Sequence, residues 1–325
     1  MIKVLVTSAG VMSAVNIIKA LKLQSEINIH IIASDMDLFA SGLYLADEYY
    51  KSPALINQNK YLTFISDVVI KKGIDIIIPC YSKEIKLFSE NKDHFESLGA
   101  KMILPSPKAI DLCDNKLHSI NLVNKLGIPV PEILENPTDE SLPIFSKLSK
   151  GSGSEGAVYI SNKHLLENAL TSKGSRIYQE YIDGQEYTVD LISNYNKELL
   201  VSCPRKRLLI KAGQSVKGIT IKSKRLSKYS EIICKEFGLV GVSNIQFIKR
   251  RNQYYFIEVN PRYASGGLLL TVNAGVNLPL IALKLILDIK VNDNELIHRS
   301  NIIMSRFWNA IFLDEGKINN NNDYI

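Results

Sequence analysis

The sequence predicts a mixed α/β and α+β protein: a parallel sheet first, antiparallel sheets after it. Three observations carry this. Short apolar runs alternate with helical spacing through residues 1–106, the pattern of a parallel sheet with crossover helices. The character changes around Ser106-Pro107. Beyond that point extended runs follow one another through tight turns such as Asp183-Gly184, as antiparallel hairpins do.

In order, Lys3-Val4-Leu5-Val6-Thr7 reads as a buried-type strand, turned by Ser8-Ala9-Gly10 into a helix over 13–23. Strands follow at 29–35, 74–79 and 101–104, with helices at 61–72 and 85–98 between them. A dinucleotide site would need G-x-G-x-x-G at the first turn. That turn has one glycine, and Val11 and Met12 obstruct a pyrophosphate. Asp35 therefore reads as a cleft or loop-anchoring residue rather than a ribose ligand.

After residue 107 a helix is predicted over 108–126, containing Asp114-Asn115-Lys116 and ended by Gly127-Ile128-Pro129-Val130-Pro131. A strand at 143–148 runs into Lys150-Gly151-Ser152-Gly153-Ser154-Glu155-Gly156. Extended structure resumes at 158–160, then a helix at 162–170 and strands at 177–182, 186–192 and 199–203. A basic loop is expected from 204 to 217, a helix at 229–237, two strands around 244–247 and 255–260, and a closing helix at 279–287. Residues 316–325, with four consecutive asparagines, predict disorder.

A net charge of +6 suits a polyanionic small molecule, but the basic residues are spread out rather than striped, unlike a nucleic-acid binder. The cysteines at 80, 113, 203 and 234 have no C-x-x-C spacing and read as reduced thiols of a cytoplasmic protein. The apolar first twenty residues are broken by Thr7 and Ser8 and lack a convincing cleavage pattern, and no run has the length of a membrane span.

The chemistry centres on Tyr255-Phe256-Ile257-Glu258-Val259-Asn260-Pro261-Arg262. In a strand, Glu258 and Asn260 share one face, while Ile257 and Val259 face apolar packing. A carboxylate beside a neutral carbonyl oxygen suits Mg²⁺, and Arg262 could face an anion shared with that cation. A hairpin through Lys249-Arg250-Arg251-Asn252-Gln253 would bring Gln246 alongside Glu258. The alternative is a sheet edge with surface polar groups. Gly151 to Gly156 could turn backbone N–H groups toward phosphates, with Lys147 and Lys116 beside them; a flexible turn with solvated lysines is the other reading. The turn at Gly184 could expose backbone groups to an adenine edge, with Glu186 near ribose hydroxyls, or be an ordinary hairpin. Pro204-Arg205-Lys206-Arg207, with Lys211 and Lys217, reads as an anion-covering flap or a solvated basic loop. N–H groups of Ser265-Gly266-Gly267 could hold a substrate carboxylate.

Taken together, these motifs resemble the ATP-grasp superfamily over about residues 1–290. The likeness is to one unit of the carbamoyl phosphate synthetase large subunit and to pyrrolysine-biosynthesis-type ligases. It implies a Rossmann-like parallel-sheet domain at 1–106 and a two-lobed ATP-grasp domain at 107–300. Within the latter fall a linking helix region (107–140), a central lid (141–190) and a catalytic lobe (191–300); an extension follows at 301–325. The resemblance implies that Lys116 and Lys147 contact ATP phosphates beneath a loop containing Gly151, Ser152, Gly153, Ser154 and Gly156. Glu180 and the backbone of Tyr181 and Ile182 would hold adenine, and Glu186 ribose. Gln246, Glu258 and Asn260 would bind about two Mg²⁺, or Mn²⁺ in their place. Arg262 would stabilise the transferring phosphoryl group, with Arg205 on the phosphate or substrate side. The implied function is an ATP-dependent carboxylate–amine (or carboxylate–thiol or other nitrogen nucleophile) ligase acting through an acyl phosphate, releasing ADP and phosphate, on small amino-acid or peptide-like substrates, without nucleic acid or membrane, and with a homodimer left open. A non-catalytic ATP-binding sensor is the rival. Two departures stand out: Ser8 and Val11 occupy positions where glycine is usual, and Leu148 follows Lys147 where proline is common.

Overall fold

The computed structural model of the chain describes residues 1–151, 156–314 and 318. Ser152, Gly153 and Ser154 lie outside the described residues, as does the tail of predicted disorder apart from residue 318.

The first sheet is built from β1 (Ile2–Val6), β2 (Ile29–Asp35), β3 (Glu48–Lys51) and β4 (Ile76–Ile78), with α1 (Met12–Lys22), α2 (Gln58–Lys72), α3 (Ser82–Glu90) and α4 (Lys92–Ser97). It is parallel throughout, in the order β3-β2-β1-β4. Alternation on β1 sends Val4 and Val6 into a core with α1, and Leu5 into another with α2 and α3. The edge strand β3 was not expected, because Glu48-Tyr49-Tyr50-Lys51 has no apolar run; only Tyr50 is buried. The strand expected at 101–104 is one bridge, Ile76 to Lys101. The helix expected at 85–98 is two, broken at Asn91.

The first turn is fixed by a buried carboxylate. Glu84 is fully buried and accepts from the Thr7 hydroxyl at 2.8 Å, the Ser8 hydroxyl at 2.9 Å and the Tyr61 hydroxyl at 2.7 Å. It also accepts from the Cys80 and Tyr81 amides at 2.7 and 2.9 Å. Five donors replace lost water, which is what a buried carboxylate requires. Ser8 is held at φ 51° without glycine. Asp35 anchors the neighbouring loop by accepting from the Gly10 amide at 2.7 Å.

The helix expected at 108–126 splits into α5 (Pro107–Asp114) and α6 (Lys116–Lys125). Asn115 lies between them and caps α6 by accepting from the His118 amide at 3.1 Å. Lys116 is thereby set at the start of α6. Next comes a three-stranded antiparallel sheet of β5 (Ile144–Leu148), β6 (Val158–Ile160) and β7 (Arg176–Glu180), in the order β6-β5-β7, with α7 (Lys163–Thr171) packed on it.

The third sheet is antiparallel and comprises β8 (Gln185–Ser193), β9 (Leu199–Lys211), β10 (Gln214–Thr220), β11 (Gly241–Arg250), β12 (Gln253–Asn260) and β13 (Ile303–Ser305), in the order β12-β11-β8-β9-β10-β13. Helices α8 (Lys224–Phe237), α9 (Leu268–Asn273) and α10 (Leu278–Ile286) complete the chain. The basic loop expected at 204–217 is instead the β9–β10 hairpin. Asp190 and Glu186 on the neighbouring β8 offset its charge, so Arg205 and Arg207 are buried. The arrangement is therefore mixed α/β with one parallel and two antiparallel sheets, as the sequence predicts. Ile17 and Ile18 of α1 share a core with Leu268 and Leu283 of α9 and α10, joining the first sheet to the third. No helix among the described residues is long and apolar enough to cross a membrane.

Candidate active site

Strand β12 carries the central side chains. Gln246 and Glu258 are cross-strand partners on β11 and β12, as the hairpin predicts. Asn260 donates to Glu258 Oε1 at 3.0 Å, and Arg262 Nη2 donates to Asn260 Oδ1 at 3.4 Å. Val259 packs in the core, but Ile257 does not follow the expected alternation. The register shifts between Gln246 and Phe247, leaving Ile257 unpaired, and it lines a cavity instead.

That cavity has a volume of about 230 Å³ and lies between the second and third sheets. Lys116, Lys147, Gly151, Glu180, Tyr181, Ile182, Glu186, Gln246 and Glu258 all line it. Asn260 and Arg262 line an adjoining narrow seam together with Lys116, Gly151 and Glu258. Gly156 lines neither; its carbonyl accepts from Arg176 Nη2. Arg205 also lines neither. It is 3% exposed, and Nε and Nη2 donate to Asp190 at 2.8 and 3.2 Å while Nη1 donates to Ser215 Oγ at 3.1 Å.

Lys147 is buried among apolar neighbours, which lowers its pKa to about 8; nearby Lys116 lowers it too, while Glu258 opposes both. Lys116 donates to the carbonyl of Gly151, closing one side of the cavity. Burial also lowers the Arg262 pKa, against the pull of Glu258 and Asp114. Asp114 is raised, first by burial and then by Asp111, with Lys116 opposing. At the other end, Glu180 accepts from Arg250 Nη1 at 2.5 Å and the Tyr181 ring lies tilted against Tyr159 with ring centroids 4.5 Å apart.

Three further cavity residues were given no individual ligand role from sequence, although Arg207 was placed in the anion-covering flap. Arg207 donates to Glu186 at 2.7 Å and to Gln246 Oε1 at 3.3 Å, tying two predicted ligands together. Phe145 and Gln179 are cross-strand partners on the face that carries Lys147. The Oε1 atom of Gln179 is buried without a hydrogen-bond partner among the described residues. The available signal was period-two spacing: Arg205 with Arg207, and Phe145 with Lys147.

Glu258, Asn260 and Gln246 present adjacent hard oxygen atoms, which fit Mg²⁺ better than a soft metal. Among the described residues there is no cluster of three His, Cys, Asp or Glu side chains that could hold a metal. One carboxylate with two amides is a weak site by itself and fits an ion shared with phosphate oxygens. The orphaned Gln179 carbonyl and buried Lys147 ammonium fit a ligand with an N–H donor at one end and negative charge at the other.

Comparison with known proteins agrees. Residues 174–306 match the family model "ATP-grasp in the biosynthetic pathway with Ter operon", and residues 4–103 match "PylC-like, N-terminal domain". The chain is 24% identical over 319 residues to pyruvate carboxylase of Bacillus subtilis (strain 168), covering 85% of this chain and 27% of that protein. It is 27% identical over 207 residues to the carbamoyl phosphate synthase large chain of Clostridium beijerinckii, covering 57% of this chain and 19% of the synthase. The chain thus spans a minor part of both relatives. Its fold is shared with the biotin carboxylase domain of Hydrogenobacter thermophilus 2-oxoglutarate carboxylase, with a TM-score of 0.68 and 21% identity, covering 89% of this chain and 70% of that one. That domain was solved with MgADP, ADP and bicarbonate. Site and comparisons converge: this chain carries an ATP-grasp domain, matched at 174–306, behind a PylC-like N-terminal domain, matched at 4–103.

Proposed function

We propose that this protein is an ATP- and Mg²⁺-dependent carboxylate–amine ligase that works through an acyl phosphate. The observation that carries the reading is the lining of one cavity by Lys116, Lys147 and Glu258, brought from three separate elements. A carboxylate and an amine do not condense usefully in water, because the leaving group would be oxide. In the proposed reaction a carboxylate oxygen attacks the γ-phosphorus and ADP leaves. The amine then attacks the acyl carbon, and phosphate departs with the former carboxylate oxygen. No nucleophilic side chain is needed; positioning and charge neutralisation carry the catalysis.

Residue by residue, Lys116 and Lys147 neutralise phosphate oxygens, with Gly151 beside them. Gln179 Oε1 and the backbone at Glu180 to Ile182 hold adenine, and Glu186, oriented by Arg207, holds ribose. Glu258, Asn260 and Gln246 would hold Mg²⁺, which supplies charge neutralisation to the phosphates when bound. Arg262 faces the transferring group. Arg205 lies against Gly267, where an added Cβ would fall 2.1 Å from its Cζ, and is assigned to supporting the substrate-side turn. In this reading 1–106 forms the substrate-side domain and 107–300 the ATP-grasp domain. Four buried free thiols support a reducing, cytoplasmic setting.

The test is ADP release across a panel of carboxylic acids and amines at saturating Mg²⁺-ATP. Acid-dependent ADP formation that Glu258→Ala abolishes is the expected result. Nucleotide binding with no stimulation by any acid would leave the rival reading, an ATP-binding sensor without turnover.

A further inference from the structure

The cavity does not end at Glu258. The narrow seam beside it is lined by Lys116, Gly151 and Glu258 on the cavity side and by Ser82, Asp114 and Arg262 beyond. Ser82, Asp114 and Gly151 also line a second, open cleft of about 670 Å³. That cleft lies between the first turn of α3, the length of α5 and the first turn of α6. The phosphoryl end of the proposed nucleotide site therefore lies next to a separate space on its far side, with which the seam shares Ser82, Asp114 and Gly151.

The charge of this cleft is unbalanced. Lys83, Lys86, Lys108 and Lys150 line it, against Asp111 and Asp114. Lys86 is already neutralised, by Asp111 at 2.6 Å and Glu90 at 3.8 Å. Asp114 is exposed and offsets one further charge, which leaves the lysines in excess. Lys83, Lys108 and Lys150 are exposed and make no hydrogen bond or ion pair among the described residues. Solvated lysines on a single helix face would need no explanation. These three come from α3, α5 and the segment after β5, and they converge on one opening. Like charges gathered in a concave surface repel one another and concentrate anions.

We propose that this cleft is the acceptor subsite, and that the acid it receives carries at least one negative charge beyond the carboxylate that reacts: a di- or tricarboxylate, or a phosphorylated acid. The inference rests on the ligase reading above. The reacting carboxylate would lie toward the Glu258 and Arg262 side of the cleft, while the spectator anion stays with Lys83, Lys108 and Lys150. The spectator takes no part in bond making. ATP draws its own neutralising charge from Lys116 and Lys147 in the cavity, so the two sets of lysines separate by function.

The experiment is calorimetric titration of the full chain, saturated with Mg²⁺ and a non-hydrolysable ATP analogue. Tricarballylate and O-phosphoserine are the polyanionic probes; acetate and alanine are the controls. Binding of one polyanion at least about tenfold tighter than either control is expected, weakening about tenfold between roughly 50 mM and 0.5 M NaCl as exposed charges are screened. The Lys83→Gln/Lys108→Gln/Lys150→Gln variant should lose that preference while its affinity for the ATP analogue is unchanged. Which probe binds identifies the spectator as carboxylate or phosphate. Equal binding of polyanions and controls, or a preference that survives in the triple variant, overturns the proposal. Failure of the ligase reading looks different: wild-type protein would bind these probes yet release no ADP with any acid.

Discussion

Lys147 Nζ donates to the carbonyl oxygen of Ile257 at 3.1 Å, one residue before Glu258. The lysine stands on β5 of the second sheet and its acceptor on β12 of the third. The bond spans the cleft at the point where Ile257 bulges out of the ladder, freeing its carbonyl from strand pairing. It fixes the ammonium beside the carboxylate of Glu258 before any ligand arrives.

That placement predicts a pH signature. Burial lowers the Lys147 pKa from 10.5 to about 8. The unfolded chain thus holds a proton that the folded chain lacks between those values, so stability of the free protein rises with pH across that window. Below about 8 the cost of burying the ammonium is fully present. Phosphate oxygens favour the charged form, so nucleotide binding at about pH 9 should take up a proton. Calorimetry in two buffers of different ionisation enthalpy measures the uptake. It should vanish in Lys147→Met; the same uptake in that variant would assign it elsewhere.

Glu258→Gln keeps the shape of the side chain and removes the charge facing Lys147 and Arg262. Turnover should fall by about 100- to 1,000-fold, the scale seen when one electrostatic contact to a developing charge is lost. Without the carboxylate that opposes the downward shift, Lys147 should titrate lower still, moving the proton-uptake profile to more acid pH. An unchanged rate together with an unchanged profile would sink the assignment of Glu258.

Local spacing made some of this site legible and left the rest hidden. Glu258 and Asn260 are two residues apart on a strand that ends at a proline, so their shared face could be read directly. Lys147, at the end of a strand entering a glycine-rich loop, was legible for the same reason. Arg205 and Arg207 were misread as part of a loop because their burial depends on Asp190 and Glu186 across the β8–β9 register. The edge strand β13 pairs with β10 across more than eighty residues, and three residues carry no periodicity of their own. Gln179 looked like any strand residue until β5 and β7 were paired.

Gly184 provides a test of the proposed adenine end. A Cβ there would lie 2.4 Å from the Lys249 carbonyl oxygen and 2.9 Å from its carbon, backbone atoms that cannot swing aside. Gly184→Ala should destabilise the chain by about 1–3 kcal/mol through overpacking, read from urea unfolding. It should also raise KM for ATP, because the turn links Ile182 to Glu186. A variant of wild-type stability would mean that β8 and β11 can separate there freely.

The Asp190–Arg205 pair separates stability from chemistry. Both side chains are buried, and Thr271 also donates to Asp190 Oδ2 at 2.6 Å. Asp190→Ala should cost about 3–5 kcal/mol, because it strands the Arg205 guanidinium without a counter-charge. Asp190→Leu with Arg205→Met removes both charges and should recover most of that loss. All three donor nitrogens of Arg205 are engaged inside the protein. The folded double variant should therefore keep its KM for ATP and lose no more than about tenfold in kcat, by loosening the turn at Gly267. A much larger fall in kcat in a variant that folds as well as wild type would place the Arg205 guanidinium on the reacting groups instead.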